Sequence, residues 1–434
     1  MSGAGHLIRA NRRLAWTRIG GLLLACGVVW GCASPVAAGI GLATSSASRA
    51  PGSLPDAQTA ATAIDAFGFD LYGKVAPGKG NLVFSPASIA IALAMADAGA
   101  RGETASQMDA VLHVGSGAVS GSGFGSLDEA LAGLSGKFRD ANGDEREVKL
   151  RIANAPFGQS GMHIEQAYLD TLASRYGAGL RLVDYRNDAD GACKLIDDWV
   201  SEQTEKRIPK LLDRLDPSTR LVLVNAIYLK AQWQEPFQKG ATADADFTRL
   251  DGTTVSVPTM SNGANMSYAS GAGWQAVELP YIGGSLAMTI VVPDDMAAFE
   301  KALDGAMFAT ITSALRTAMV DLAMPRFKTE TKTDLLSVLA GLGMPLATDP
   351  DRADFSGITS DERLFIAGVV HQANISVDES GTEASAATAV VMVGAAAPVQ
   401  TVTLRVDRPF LFALRDTRTG AILFLGRIVD PSAG

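Results

Sequence analysis

The segment that most restricts the fold lies near the carboxyl end, where residues 384–393 carry no charge, no glycine and no proline. It follows a turn-forming pair, Ser380-Gly381, and a loop in that position should be polar or rich in Pro and Gly. The alternation instead predicts a strand with one face that suits a sheet interior. The residues of that face are Thr382, Ala384, Ala386, Thr388, Val390 and Met392. An ordinary hydrophobic hairpin is the simplest interpretation, and this segment alone does not exclude it.

Helical patterns are concentrated in the first half of the chain and strand patterns in the second. Periodicity predicts helices near residues 64–71, 88–98, 168–175 and 193–206. Apolar and β-branched runs predict strands near residues 221–229, 287–292, 318–324, 369–377, 402–406, 410–414 and 421–425. Residues 115–126 are rich in Gly and Ser, which predicts a surface loop. Strict strand–helix alternation is absent, so the expected class is α+β, with a single domain over residues 55–434.

The first fifty residues contain no acidic residue, and a basic stretch ends at Arg18. An apolar run over residues 19–31 follows, and then small residues. This order is that of a secretory signal, and the run is short for a membrane-spanning helix, which needs ~20 residues. We therefore expect export, to the periplasm, to the outer membrane as an anchored protein, or to the medium.

Two processing sites compete. Cys32 after Gly31 resembles the bacterial lipoprotein box, which predicts a signal peptide over residues 1–31 and membrane anchoring through a lipid on Cys32. Ordinary cleavage after Ala38 is the alternative. Residues 32–54 are rich in Gly, Ser and Ala, which predicts a flexible linker. Removal of residues 1–31 takes away four arginines and no acid, so the formal charge moves from −9 to about −13.

A search for catalytic chemistry finds none. The 37 basic against 46 acidic residues argue against nucleic-acid binding. Three histidines follow the leader, His113, His163 and His371, and none has zinc-ligand spacing; no GxSxG motif is present either. We expect no catalytic site, no metal and no cofactor, and the enzyme alternative is a hydrolase with an unrecognised serine.

Six motifs, in order, resemble the serpins, a family of protease inhibitors. They begin at Asn81 (Asn-Leu-Val-Phe-Ser-Pro), Asn225 (Asn-Ala-Ile-Tyr-Leu-Lys), Glu278 (Glu-Leu-Pro-Tyr), Met324 (Met-Pro-Arg-Phe), Asp407 (Asp-Arg-Pro-Phe-Leu-Phe) and Gly420 (Gly-Ala-Ile-Leu-Phe-Leu-Gly-Arg). The similarity extends over residues 55–431. The chain is identified from them as a member of the serpin family.

The resemblance implies a serpin fold with three β-sheets, about eight or nine helices and an exposed reactive-centre loop. It implies a monomer that forms a covalent complex with a serine protease: the protease attacks the loop, and the cleaved loop enters the large sheet, sheet A, as a new strand. A non-inhibitory serpin, acting as a chaperone, carrier or structural protein, is the alternative. Thr382 favours the inhibitor, because non-inhibitory members tend to carry a charged or bulky residue there.

The resemblance also assigns candidate site residues. The hinge consists of Glu379, Gly381, Thr382, Glu383, Ala384, Ser385, Ala386, Ala387 and Thr388. The shutter, a buried polar cluster under sheet A, consists of Ser85, Ser88, Asn225 and His371. Trp233 marks the breach, where insertion begins.

Counted as in the family, from Glu379, the scissile bond joins Ala395 and Ala396; a count from the other side points nearer to Pro398, so residues 394–398 bracket it. Alanine before the bond suits an elastase-like or subtilisin-like protease. A trypsin-like protease requires Arg or Lys before the scissile bond, and neither residue occurs between Glu383 and Arg405.

Overall fold

The computed structural model describes residues 39–78, 80–115, 119–140, 142–383 and 401–433. Residues from Gly39 onward form one compact unit. The predicted signal peptide and Cys32 lie outside the described residues. So do the hinge residues Ala384, Ser385, Ala386, Ala387 and Thr388 and the predicted bond between Ala395 and Ala396.

The described residues contain nine α-helices. These are α1 Leu54–Val75, α2 Pro86–Asp97, α3 Gly102–Val111, α4 Val119–Ala132, α5 Gln166–Thr171, α6 Ala189–Gln203, α7 Met296–Ala302, α8 Gly305–Ala314 and α9 Leu336–Leu342. Several start at side-chain caps. The Ser85 hydroxyl, for example, accepts the amide of Ser88 at the start of α2, and Pro86 occupies the first turn.

Seventeen strands are described. These are β1 Gly41–Ala43, β2 Leu82–Phe84, β3 Gly136–Arg139, β4 Glu145–Gln159, β5 Leu180–Val183, β6 Leu221–Gln232, β7 Ala243–Thr248, β8 Thr254–Gly271, β9 Trp274–Pro280, β10 Leu286–Pro293, β11 Arg316–Pro325, β12 Phe327–Asp334, β13 Gly368–Asp378, β14 Gly381–Thr382, β15 Thr401–Arg405, β16 Phe410–Asp416 and β17 Ile422–Ile428. The seven predicted strands correspond to β6, β10, β11, β13, β15, β16 and β17.

Sheet A has the strand order β1-β5-β4-β6-β14-β13-β12, with β3 on β4. The remaining strands form a second network, β15-β11-β8-β9-β10-β16-β17-β2, with β7 on β8. The resemblance implies three β-sheets, whereas these strands form one hydrogen-bonded network, because the 18-residue strand β8 pairs with β7, β9 and β11. The architecture is α+β and matches the serpin fold.

Helix α4 corrects the predicted loop over residues 115–126 for the part from residue 119 onward. Its glycines permit close packing: a Cβ at Gly125 would lie 2.6 Å from the carbonyl oxygen of Arg175, and one at Gly121 would meet the Arg175 side chain. Phe124 and Leu127 on the same helix are fully buried. The composition that suggested a loop instead lets a helix approach its neighbours closely.

The predicted flexible linker over residues 32–54 is wrong for its described part, residues 39–53. Strand β1 pairs antiparallel with β5 at the edge of sheet A. The Arg49 guanidinium then binds the Asp128 carboxylate of α4 at 2.7 Å. Gly41 and Gly52 allow the backbone of this segment to lie close to Leu182 and Ser126. The β1–β5 pairing and the Arg49–Asp128 ion pair hold the segment on the body.

Two apolar clusters flank sheet A. The larger one lies between the inner faces of the two sheets and helices α1 and α2. The smaller one lies under α6, on the outer face of β4 and β6, where the Trp199 and Phe157 rings meet edge to face, 5.4 Å apart. Helix α6 and the segment after it therefore cover the outer face of β4 and of the first half of β6. No helix in the described ranges has the length and apolarity to cross a membrane.

Candidate functional site

Strands β6 and β13 of sheet A are paired at one end and separated at the other. Their parallel ladder runs from Val222 and Gly368 to Ile227 and Ala373. Beyond it the two-residue strand β14 lies between them and pairs with both. Sheet A is therefore closed at the end we call lower and holds two hinge residues at the upper end.

Trp233, the predicted breach residue, holds the backbone that leads into β14. Its indole stacks on Tyr281, with centroids 4.4 Å apart. The indole Nε1–H donates to the carbonyl of Asp378 at 2.9 Å, and the backbone N–H donates to the carbonyl of Ser380 at 3.0 Å. The aromatic pair thus fixes the chain where it turns back into the sheet.

Gly381 and Thr382 occupy a narrow slot. A Cβ at Gly381, whose φ is +144°, would lie 2.2 Å from the carbonyl oxygen of Ala231, so only glycine fits there. Thr382 is 1% exposed, and its hydroxyl hydrogen-bonds the Tyr281 hydroxyl at 2.6 Å. An uncharged side chain with a single hydroxyl fits this buried position, and a charge there would be without a partner.

Glu379, at the start of the hinge, is anchored beside the slot. Its side chain is 3% exposed and accepts hydrogen bonds from the Arg326 guanidinium, including one from Nε at 2.8 Å, and from the Thr242 hydroxyl. Burial raises the pKa of Glu379, but these bonds outweigh burial and hold the pKa below its usual range. The carboxylate is therefore ionised at neutral pH and ties the hinge to Arg326, the residue that joins β11 and β12.

The shutter residues His371 and Asn225 meet under the closed part of sheet A. They are cross-strand partners, and His371 Nδ1 hydrogen-bonds the side-chain oxygen of Asn225. The backbone N–H of Ser85 donates to His371 Nε2 at 3.0 Å, so Nε2 must accept and the neutral ring carries its proton on Nδ1. Burial lowers the pKa of His371 to about 3, which keeps the ring neutral.

Ser88, the other shutter serine, reaches a residue that sequence reasoning missed. Its hydroxyl donates to the side-chain oxygen of Asn154 at 2.7 Å. Asn154 lies on β4 directly opposite Asn225 of β6. The cluster therefore links α2, β4, β6 and β13 through groups that carry no net charge.

The structure brings together all four predicted shutter residues, and it places Trp233 against the backbone that leads into the hinge residue Gly381. Sequence reasoning missed the partners that hold them, which are Asn154, Arg207, Thr242, Tyr281 and Arg326. Two of these stand inside quoted motifs, Tyr281 in Glu278-Leu-Pro-Tyr and Arg326 in Met324-Pro-Arg, so a signal for them was present. The described residues include no group of three or more His, Cys, Asp or Glu side chains arranged to hold a metal ion.

Comparison with known proteins places this chain in a family. A family model described as serpin (serine protease inhibitor) matches residues 62–431. An uncharacterized serpin-like protein of Thermococcus kodakarensis is 38% identical over 379 residues, which is 86% of each chain. The leukocyte elastase inhibitor of Equus caballus is 35% identical over 386 residues, 85% of this chain and 99% of that protein. The chain belongs to the serpin family.

Solved structures agree with the fold. The native state of tengpin, a thermophilic serpin, has a TM-score of 0.78 and 27% identity, and the match covers 90% of this chain and 99% of tengpin. A highly specific serpin of the insect Tenebrio molitor has a TM-score of 0.74 and 31% identity over 86% of this chain and 98% of its own. Both are serpins, and the leukocyte elastase inhibitor above is a relative whose name states inhibition of a protease.

Proposed function

We propose that the protein is a suicide inhibitor of serine proteases that offers its reactive-centre loop as bait and inserts the cleaved loop into sheet A. The observation that carries the proposal is the seat of Thr382, which is uncharged and buried between β6 and β13. Strand β14 is the beginning of a strand that the cleaved loop can extend. Insertion lengthens β14 and needs no new site.

The register of β14 tells where each loop residue would go. Thr382 lies opposite Ala231 of β6 and Val377 of β13. An antiparallel continuation in that register sets Thr388 opposite Asn225 and His371, and residue 392 opposite Leu221, where β6 begins. With ~3.3 Å per residue, the stretch from 381 to 392 spans about 36 Å. Ala395 would then lie just beyond the far end of sheet A.

The same continuation decides which side chains become buried. Thr382 faces the interior, so residues 384, 386, 388, 390 and 392 face it too, because strand side chains alternate. All five are small or apolar and uncharged. Insertion would therefore bury apolar surface and complete a backbone ladder without burying an unpaired charge.

The chemistry we propose is that of an interrupted proteolysis. The protease serine Oγ attacks the carbonyl carbon of Ala395, the bond to Ala396 breaks, and the new amino terminus of Ala396 leaves with a proton from the protease histidine. The ester between serine and Ala395 remains. Insertion then carries this ester from the upper to the lower end of sheet A before water cleaves it.

We propose an elastase-like or subtilisin-like target, because the residue before the bond is alanine and a relative is named for inhibition of leukocyte elastase. The test incubates pure protein with elastase-like, subtilisin-like and trypsin-like proteases. We expect a covalent complex that survives denaturing gels with one of the first two, and a released peptide that begins at Ala396. Cleavage by every protease without any complex would refute the inhibitor and favour a non-inhibitory serpin.

We also propose that the protein is exported. Intact mass and amino-terminal sequencing of the protein from its own cell envelope and medium would test this. A lipid-bearing Cys32 at the amino terminus supports anchoring to a membrane, and an amino terminus at Gly39 supports free secretion. A chain that begins at residue 1 in the cell extract, and is absent from both other fractions, would contradict export.

A further inference from the structure

A buried carboxylate lies where the hinge leaves sheet A. The backbone N–H of Glu383 donates to the carbonyl of Ser376 at 3.0 Å, which extends β14 by one more ladder bond. Glu383 then turns the chain with a φ of +49°, a left-handed conformation that is uncommon for residues other than glycine. Its side chain is only 9% exposed, and its Oε2 lies 3.1 Å from Nε of Arg207.

Arg207 is held in place by the segment that follows α6. Two consecutive left-handed residues, Glu205 and Lys206, turn the chain. The backbone N–H of Arg207 donates to the carbonyl of Thr204 at 2.9 Å. Ile208, next along the chain, is fully buried in the cluster under α6. The backbone of Arg207 is therefore held by contacts that do not involve the hinge, and only its side chain must become ordered to pair with Glu383.

The surroundings of Glu383 make this cation necessary. Burial raises the pKa of Glu383, and attraction to Arg207 is the largest influence that opposes the rise. A hydrogen bond from the Tyr228 hydroxyl and the charges of Lys328 and Lys230 contribute less. A buried carboxylate that loses its cation is strongly disfavoured, whereas a neutral amide of the same shape is not.

We propose that Arg207 is a positioning residue for the hinge. By neutralising Glu383 it lets residues 381–383 stay seated in sheet A before any protease arrives. Insertion then starts from a strand that is already begun. The consequence for inhibition rests on the proposed function, but the seating itself does not, because it is a property of the free protein.

The experiment measures amide hydrogen exchange of residues 381–383 by mass spectrometry in four variants. At pH 7.5, well above the ordinary pKa of a glutamate, Arg207→Gln removes the cation that lies 3.1 Å from the Glu383 carboxyl group, so this group is favoured in water over its buried site. The hinge should therefore leave the sheet and exchange at least about tenfold faster. In Glu383→Gln the side chain is neutral, and exchange should match the wild type. In the double variant Arg207→Gln/Glu383→Gln the unpaired charge is gone, and protection should return.

Arg186→Gln is the matched control, because Arg186 is as exposed as Arg207 and pairs at the same distance with another glutamate, Glu362, at 3.1 Å. It should leave exchange at 381–383 unchanged. Slow exchange in Arg207→Gln would overturn the proposal, and so would fast exchange in the double variant. Recovery in the double variant cannot arise from general loss of packing at position 207, because that loss persists there.

Kinetics with a protease separates this inference from the proposed function. If the protein inhibits, Arg207→Gln should change the association rate constant several-fold, since a released hinge lengthens the exposed loop, and the double variant should restore it. If no protease forms a complex, the inhibitor proposal fails while the exchange result still decides whether Arg207 seats the hinge.

Discussion

The two ends of the β6–β13 pair are held by different chemistry. At the lower end the strands pair directly, and His371 bonds Asn225 in a buried cluster without net charge. At the upper end β14 separates them, and the ion pairs of Glu379 with Arg326 and of Glu383 with Arg207 hold the hinge. Neutral hydrogen bonds therefore keep sheet A closed where the hinge has not yet entered, and charges hold the hinge where it has.

The difference gives an order of events for insertion. A strand that extends downward from Thr382 would reach the lower end last, and Thr388 would arrive between Asn225 and His371. Their mutual hydrogen bond would have to break there. A threonine hydroxyl can both donate and accept, so it could replace the lost partner on each side. In the proposed mechanism, the upper end would decide whether insertion starts, and the lower end would decide whether it finishes.

The largest effect is expected at the upper end, from Thr382→Arg. The guanidinium would have to enter a site that is 1% exposed, without a carboxylate to pair it, at a cost of several kcal/mol. Covalent complex should disappear from denaturing gels while loop cleavage continues. Thr382→Ser is the control, because it keeps the hydroxyl for Tyr281. Wild-type amounts of complex with Thr382→Arg would show that residue 382 need not be buried.

At the lower end, His371→Ala should reduce the free energy of unfolding by about 3 kcal/mol. The change opens a cavity and leaves the Ser85 N–H and the Asn225 oxygen without partners. Urea denaturation of the uncleaved protein measures it. His371→Gln should restore much of the loss, because an amide can accept from Ser85 and donate to Asn225. A loss below about 1 kcal/mol would mean that the neutral cluster does not hold the lower end closed.

A smaller effect, about 2 kcal/mol, is expected for Arg326→Gln at the upper end. Glu379 would keep the Thr242 hydroxyl but lose its cation, and the half-exposed Arg326 site admits water that screens part of the cost. Denaturation of the uncleaved protein gives the number. Arg326→Lys, which retains the charge, should lie nearer to the wild type. If lysine and glutamine are equally destabilising, geometry rather than charge holds Glu379.

The smallest predicted effect is a difference between the two ends of the β6–β13 pair in how their contribution to stability depends on pH. The pKa of His371 is about 3 in the fold and about 6.5 in an unfolded chain, so as pH falls the unfolded chain takes up the proton first. Stability from this group is complete above pH 6.5 and falls by about 1.4 kcal/mol per pH unit below it, down to about pH 3. Glu379, whose pKa is lowered, loses its contribution only below about pH 4.3.

The measurement compares the wild type with His371→Gln by denaturation at pH 7.5 and pH 5.5. The difference between them should shrink by about 1.4 kcal/mol at the lower pH. Taking the difference cancels Asp65 and Asp97, whose pKa values burial raises to about 7 and which act in the opposite direction. A pH-independent difference would contradict a neutral buried His371.

The sequence predicted the fold because its six motifs are local, and each carries its own signal. It also contained a signal for β4 that a helix-first, strand-last interpretation overlooks. Val148, Leu150 and Ile152 alternate with Lys149 and Arg151, which is the pattern of a half-buried strand. Helix α4 was beyond such reasoning, because its glycines are explained only by the backbone of Arg175 that packs against them.

The site divides in the same way. The positions of Ser85, Ser88, Asn225 and Trp233 follow from the resemblance because each lies inside or beside a motif, whereas His371 lies far from all six and was assigned from the family pattern alone. That the hinge is seated as far as Glu383 was not predictable, because it depends on Arg207 after α6 and on the Tyr281 hydroxyl, both remote in the chain. The charge of Glu383 can be buried because Arg207 pairs with it, and no local sequence pattern indicates this pairing.

The docking of residues 39–53 sets a clearance for a membrane-bound form. If a lipid is attached at Cys32, the anchor consists of residues 32–38 alone, which can reach at most about 25 Å when fully extended. A free linker over residues 32–54 would have reached about 80 Å. The described part of the predicted linker would then add no length to such an anchor, and the greatest reach of the anchor would be less than a third of that of a free linker.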